Sequence, residues 1–119
     1  FIVKKSSLYE TKPLGPQGQP NFINAVIEIK TNFDPHELLS ELQELERQHN
    51  RKKTKKWGPR SIDLDILIYN KIIMDSKDLI IPHPGLEYRE FVLIPLYEIT
   101  GYGYEIPKYG RVSNLIKNL

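Results

Sequence analysis

The chain has 119 residues, 39% of them hydrophobic and 27% charged, which suits one domain with a real core and leaves no room for two. With no cysteine it has neither disulfides nor thiolate metal sites, and it carries no apolar run of membrane-spanning length and no signal-peptide pattern. A formal charge of +2 is too small for a general nucleic-acid binder, although the basic residues are unevenly spread.

Phe1 to Tyr9 is rich in β-prone residues and is expected to be a strand. Thr11 to Asn21 is punctuated by Pro13, Gly15, Pro16, Gly18 and Pro20, the composition of an irregular loop. Phe22 to Thr31 alternates, with Ala25, Ile27 and Ile29 on one side and Phe22, Asn24, Val26 and Glu28 on the other, so it is expected to be one half-buried strand. A helix follows. Asp34 is a cap, Pro35 suits the first helical position, and Glu37 stands three residues after the cap as in a capping box. Leu38, Leu39, Leu42 and Leu45 form its apolar stripe, Gln43 and Glu46 sit one turn apart on another face, and the helix is expected to end near Asn50.

Arg51-Lys52-Lys53-Thr54-Lys55-Lys56 carries five charges of one sign, which by itself is the pattern of a solvated loop. It leads into Trp57-Gly58-Pro59-Arg60-Ser61-Ile62-Asp63-Leu64-Asp65-Ile66-Leu67-Ile68, whose apolar alternation predicts a strand. On such a strand Asp63 and Asp65 project from one side, and Ile62, Leu64, Ile66 and Ile68 from the other. Adjacent carboxylates repel unless a cation holds both ionised, and hard oxygen donors of this kind suit Mg²⁺ shared with substrate phosphates. A bare pair of surface acids is the plain alternative; basic residues running into the same place favour a polyphosphate with its metal. No G-x-x-x-x-G-K-[ST] occurs, so this is not a P-loop protein. Further on, Pro82 and Pro84 bracket His83 and fix its backbone, with Arg89 and Phe91 following, so this stretch reads as a rigid anion-contacting corner. His36 and His49 read as ordinary surface residues.

Three blocks together resemble the 6-hydroxymethyl-7,8-dihydropterin pyrophosphokinase family of folate biosynthesis. They are Trp57 to Leu67; Tyr9 to Gly15 with Gln19 to Ala25; and Ile81 to Pro84 with Arg89 to Leu96. The likeness runs from about Ser7 to Ile99 and so covers most of one domain, residues 1–119. It implies an α+β, ferredoxin-like fold and transfer of diphosphate from ATP to the pterin hydroxymethyl group, giving AMP. It implies two Mg²⁺ ions on Asp63 and Asp65, and a pterin ring held between Phe22 and Phe91. Asn24, Thr11 and the backbone near Leu14 are implied to complete pterin recognition. For ATP it implies Gln43, Glu46, Arg51, Lys53, Trp57, Arg60, Ile66, His83 and Arg89, with Arg51 and Arg60 also serving catalysis. No residue stands out as the general base, and a metal-polarised hydroxyl near Asp65 is expected at that step. The expected partners are the small-molecule substrates, with neither nucleic acid nor a membrane, and the expected setting is the cytoplasm. Whether the domain is fused or adjacent to another folate enzyme, as in some relatives, the sequence leaves open.

The sequence departs from the family pattern in several places. Asn50-Arg51-Lys52-Lys53 stands where most members have Gly-Arg-x-Arg, Lys56 replaces an Arg before the Trp, and Asp78 stands where some members place an Arg. Lysine supplies charge without a bidentate fork, so ATP is expected to be held less tightly in register. The family's opening strand, Gly-Ser-Asn turn and helix have no counterpart here, and Phe1 is no initiator, so the chain is expected to be an incomplete one. Two other readings compete. One is an anion-binding module built on Arg51 to Lys56 and Trp57, which the paired acids disfavour; the other is a non-catalytic remnant of the family.

Overall fold

In the computed structural model, which describes residues 1–11, 22–51 and 62–119, the chain divides into two units. The first joins Phe1–Thr31 to Pro84–Leu119, and the second is Asn32–His83. Helices and antiparallel strand pairs occur together, the α+β class expected.

In the first unit the two expected long strands each break in two. The first becomes β1 (Ile2–Lys5) and β2 (Tyr9–Thr11), the second β3 (Phe22–Asn24) and β4 (Ile27–Ile29). β1 pairs with β4 and β2 with β3, both antiparallel. The breaks face each other: the Ser6 amide donates to the Val26 carbonyl and the Val26 amide donates to the Ser6 hydroxyl oxygen, both at 2.9 Å. A side chain thereby replaces one ladder bond at the bend. The bend also decides which side is buried. Val26 is the buried residue of this stretch, while Ile27 and Ile29 stay 49% and 36% exposed, because the bend turns Val26 inward.

After Pro84 comes a 3-10 turn (Leu86–Tyr88), then α1 (Glu90–Thr100), β5 (Glu105–Ile106) paired with β6 (Gly110–Arg111), and α2 (Val112–Lys117). Gly85 opens the 3-10 turn at φ +82°, a left-handed conformation that costs glycine nothing. α1 packs against α2, the 3-10 turn, β2 and β4. It buries Leu93, Pro95 and Leu96, and Leu86, Ile106 and Val112 are as fully enclosed. Burying each such aliphatic side chain is worth about 1.5–3 kcal/mol.

The second unit opens with α3 (Pro35–Arg51), which begins as the sequence predicts and runs to the last described residue before residue 62. Its capping box is reciprocal: the Glu37 amide donates to Asp34 Oδ1 at 2.8 Å, and the Asp34 amide donates to Glu37 Oε1 at 3.0 Å. These bonds hold the Asp34 carboxyl below its usual range, the Glu37 amide being the largest cause. Leu38 joins Ile66, Leu79 and Ile81 in a core with Leu39, Leu42, Tyr69 and Met74 packed against it. Leu45, expected in the same stripe, is 54% exposed, one turn beyond the last helix residue of that core. β7 (Met74–Asp75) pairs with β8 (Ile80–Ile81) around a turn that Ser76 closes with both its amide and its hydroxyl on the Leu79 carbonyl. No helix among the described residues is long and apolar enough to cross a membrane.

Candidate functional site

Strand register assembles the first part of the site. Tyr9 lies opposite Asn24 and Thr11 opposite Phe22, so these four side chains share one face of the β2–β3 ribbon, and Glu10 and Ile23 take the other. Phe22 is 55% exposed and Asn24 half-buried. The same face is tied to α1, for Tyr9 donates its hydroxyl to Glu98 Oε1 at 2.6 Å. Phe91 stands near the start of α1, seven residues before Glu98 and so almost in line with it along the helix. Its ring is 39% exposed, with the Arg89 guanidinium 5.9 Å from its centroid. The unit therefore offers two exposed aromatic faces, one on α1 and one on the ribbon whose β2 packs against it, beside a half-buried amide and a half-buried hydroxyl. A flat heterocycle with a donor-acceptor edge is the ligand that such a set suits.

Glu98, Ser7 and Tyr9 are site neighbours that the sequence reading missed. The signal lay in spacing: Tyr9 precedes Thr11 by two on a strand, and Glu98 follows Phe91 by two helical turns.

The second unit carries the acids. Residues 62–69 form no regular element, which corrects the expected strand. The stretch bonds to a side chain and to a loop amide: Leu64 donates its amide to Glu46 Oε2 at 3.0 Å, and the Leu67 carbonyl accepts from the His83 amide at 2.8 Å. The alternation nevertheless persists, with Asp63 and Asp65 exposed, Ile62 and Leu64 half-buried and Ile66 buried. Glu46 thus grips the backbone between the two aspartates. Ile66 is packed in the core, so a nucleotide would meet its backbone and not its side chain. Gln43 is exposed on α3, and His83 is half-buried beyond the cis Ile81–Pro82 bond. Among the described residues no three carboxylate or imidazole side chains gather into a cluster. Two exposed carboxylates nonetheless fit Mg²⁺, which commonly takes one or two protein oxygens and fills its other positions with water and phosphate.

Leu14, Lys53, Trp57 and Arg60 lie outside the described residues, and Arg51 is placed only as the last residue of α3. Arg89 belongs to the first unit and His83 to the second.

Comparison with known proteins gives a consistent picture. The family model described as 7,8-dihydro-6-hydroxymethylpterin-pyrophosphokinase matches residues 1–101. A 2-amino-4-hydroxy-6-hydroxymethyldihydropteridine pyrophosphokinase of Haemophilus influenzae is 43% identical over 98% of this chain and 72% of its own length. One of Bacillus subtilis is 46% identical over 82% of this chain and 59% of its own length. A mitochondrial folate synthesis bifunctional protein of Arabidopsis thaliana is 47% identical over 84% of this chain, which spans only 18% of it.

Proposed function

The chain belongs to the 7,8-dihydro-6-hydroxymethylpterin-pyrophosphokinase family, and from that premise we propose that it transfers diphosphate from ATP to the hydroxymethyl group of 6-hydroxymethyl-7,8-dihydropterin, releasing AMP. The observation that carries the pterin half is the single ribbon face that gathers Thr11, Phe22 and Asn24 and is bonded to the helix of Phe91. Phe22 and Phe91 stack on the ring, at about 1–3 kcal/mol for each such contact by analogy with nucleobases. Asn24 pairs with its amide-like edge, and Thr11 and the backbone near Leu14 complete its outline.

Asp63 and Asp65 are the residues that would hold Mg²⁺; when bound, it neutralises charge building on the phosphate oxygens. Glu46 keeps the intervening backbone in place, a supporting role beside the nucleotide contact that the family resemblance assigns to it. Gln43, Arg51, Lys53, Trp57, Arg60, His83, Arg89 and the Ile66 backbone are assigned to ATP, the cations sharing the phosphate charge. Stacking and a shielded phosphate also exclude water, which suppresses hydrolysis of ATP. The ferredoxin-like arrangement of the family, a cytoplasmic setting and a neighbouring or fused folate enzyme belong to the same proposal.

The test is AMP formation by this chain with ATP, Mg²⁺ and the pterin, together with Asp63→Asn and Asp65→Asn. Product that needs both pterin and Mg²⁺, and is lost in each variant with the fold intact, is the expected result. Full activity in either variant would overturn the metal assignment, and no pterin-dependent AMP would favour a non-catalytic remnant.

A further inference from the structure

Glu98 accepts four hydrogen bonds from the entry to β2, and no step of the proposed reaction uses it. The Ser7 amide donates to its two carboxylate oxygens at 2.9 and 3.0 Å, the Ser7 hydroxyl donates to Oε2 at 2.9 Å, and the Tyr9 hydroxyl donates to Oε1 at 2.6 Å. At the very next residue, Lys4 Nζ donates to the Ile99 carbonyl at 3.4 Å, so the end of α1 is pinned to both β1 and the entry to β2. Hydrogen bonds to an ionised acceptor are about twice as strong as neutral ones.

We propose that Glu98 is a positioning residue for pterin recognition, setting the β2–β3 face of Thr11, Phe22 and Asn24 at a fixed height and angle against the α1 face of Phe91. This rests on the pterin assignment above. Tyr9 is the link, because it shares that ribbon face, lies opposite Asn24, and stands two residues from Thr11. Stacking on one side and edge pairing on the other both depend on spacing, and a displacement of about 1 Å can cost around a hundredfold in a positioned reaction. The tie also has a defined protonation state. The Tyr9 hydroxyl and the Ser7 donors hold the Glu98 carboxyl below its ordinary range, and Glu98 in turn raises the Tyr9 phenol.

The experiment measures two affinities on the full chain: that of an unhydrolysable ATP analogue with Mg²⁺, and that of 6-hydroxymethyl-7,8-dihydropterin with the analogue present. Glu98→Ala should weaken pterin binding about tenfold or more and leave the analogue within about twofold. Tyr9→Phe removes one hydroxyl with little risk to folding and should weaken the pterin severalfold; Glu98→Gln should fall between. In the double variant the Tyr9→Phe effect should vanish, since its partner is gone. Unchanged pterin affinity in folded Glu98→Ala or Tyr9→Phe would overturn the proposal, as would parallel loss of both affinities, which marks a general structural role. If the unaltered chain binds the analogue but no pterin, it is the functional reading that fails, and this proposal with it.

Discussion

Removing Glu46 should loosen the two aspartates without touching them. Its Oε2 accepts the Leu64 amide at 3.0 Å in a half-buried setting, and that amide lies between Asp63 and Asp65. A hydrogen bond to a charged group is worth about 1.5–3 kcal/mol net, and partial exposure puts this one near the lower end, about 1.5 kcal/mol. That corresponds to roughly tenfold in the population of the gripped conformation. Glu46→Ala should therefore speed hydrogen exchange at the Leu64 amide about tenfold in the ligand-free chain, read by NMR or mass spectrometry. Glu46→Gln keeps an acceptor at the same reach without the charge, so its effect should be about half as large in free energy, roughly threefold. AMP formation should fall with the same ordering, because the acids then spend less time in place. An unchanged Leu64 exchange rate in Glu46→Ala, with a weakened ATP affinity, would refute this reasoning and give the carboxylate to the nucleotide alone.

Other expectations concern the first unit. Phe91→Ala should cost pterin binding about 1–3 kcal/mol, or roughly five- to 150-fold, while Phe91→Tyr keeps most of it; equal pterin affinity in Phe91→Ala would remove the ring from the site. Leu93, fully buried on α1 between Phe91 and Glu98, should lose about 2–5 kcal/mol of stability on change to Ala in chemical denaturation; a loss under about 1 kcal/mol would mean the core there collapses freely. The Glu98 carboxyl is held low, so its contribution is fully present above the ordinary carboxylate value of about 4.3 and lost as pH falls through its lower folded value. The Tyr9 phenol is raised, so its contribution is present below about pH 10 and lost only at a higher pH. Pterin affinity should hence be flat with respect to this tie from about pH 5 to about 10, and Glu98→Gln should make acid unfolding less steep. An unaltered acid limb in that variant would show the tie to be broken in solution.

What the sequence made legible follows the range of the forces involved. The start of the helix Pro35–Arg51 was readable because a cap and a proline act within one turn. The exposed acids were readable because alternation survives where the strand itself does not. The strand failed for Ile62 to Ile68 because a strand needs a partner, and Glu46 and His83 supply its bonds from far along the chain. The same limit hid the bend at Val26, where the Ser6 hydroxyl oxygen takes a bond from twenty residues away. Alternation already put Phe22 and Asn24 on one side, but only the register shows why Thr11, named from family resemblance, shares their face. Glu98 carried no motif at all, and its partners lie about ninety residues upstream.

The first unit is made of two stretches separated by the whole of Asn32–His83. During synthesis the second unit has all its own residues before the first has its closing half. Every contact of α1 with β2 or β4 must wait for the last third of the chain, at the loop-closure cost that long separations carry. The exposed Ile27 and Ile29 would meanwhile stand on a nascent strand pair, with Lys4, Lys5, Glu28 and Lys30 among the charges that discourage a wrong partner. The charged residues among these hydrophobic positions thus act first as guards of the unfinished chain, ahead of any part they take in the finished one.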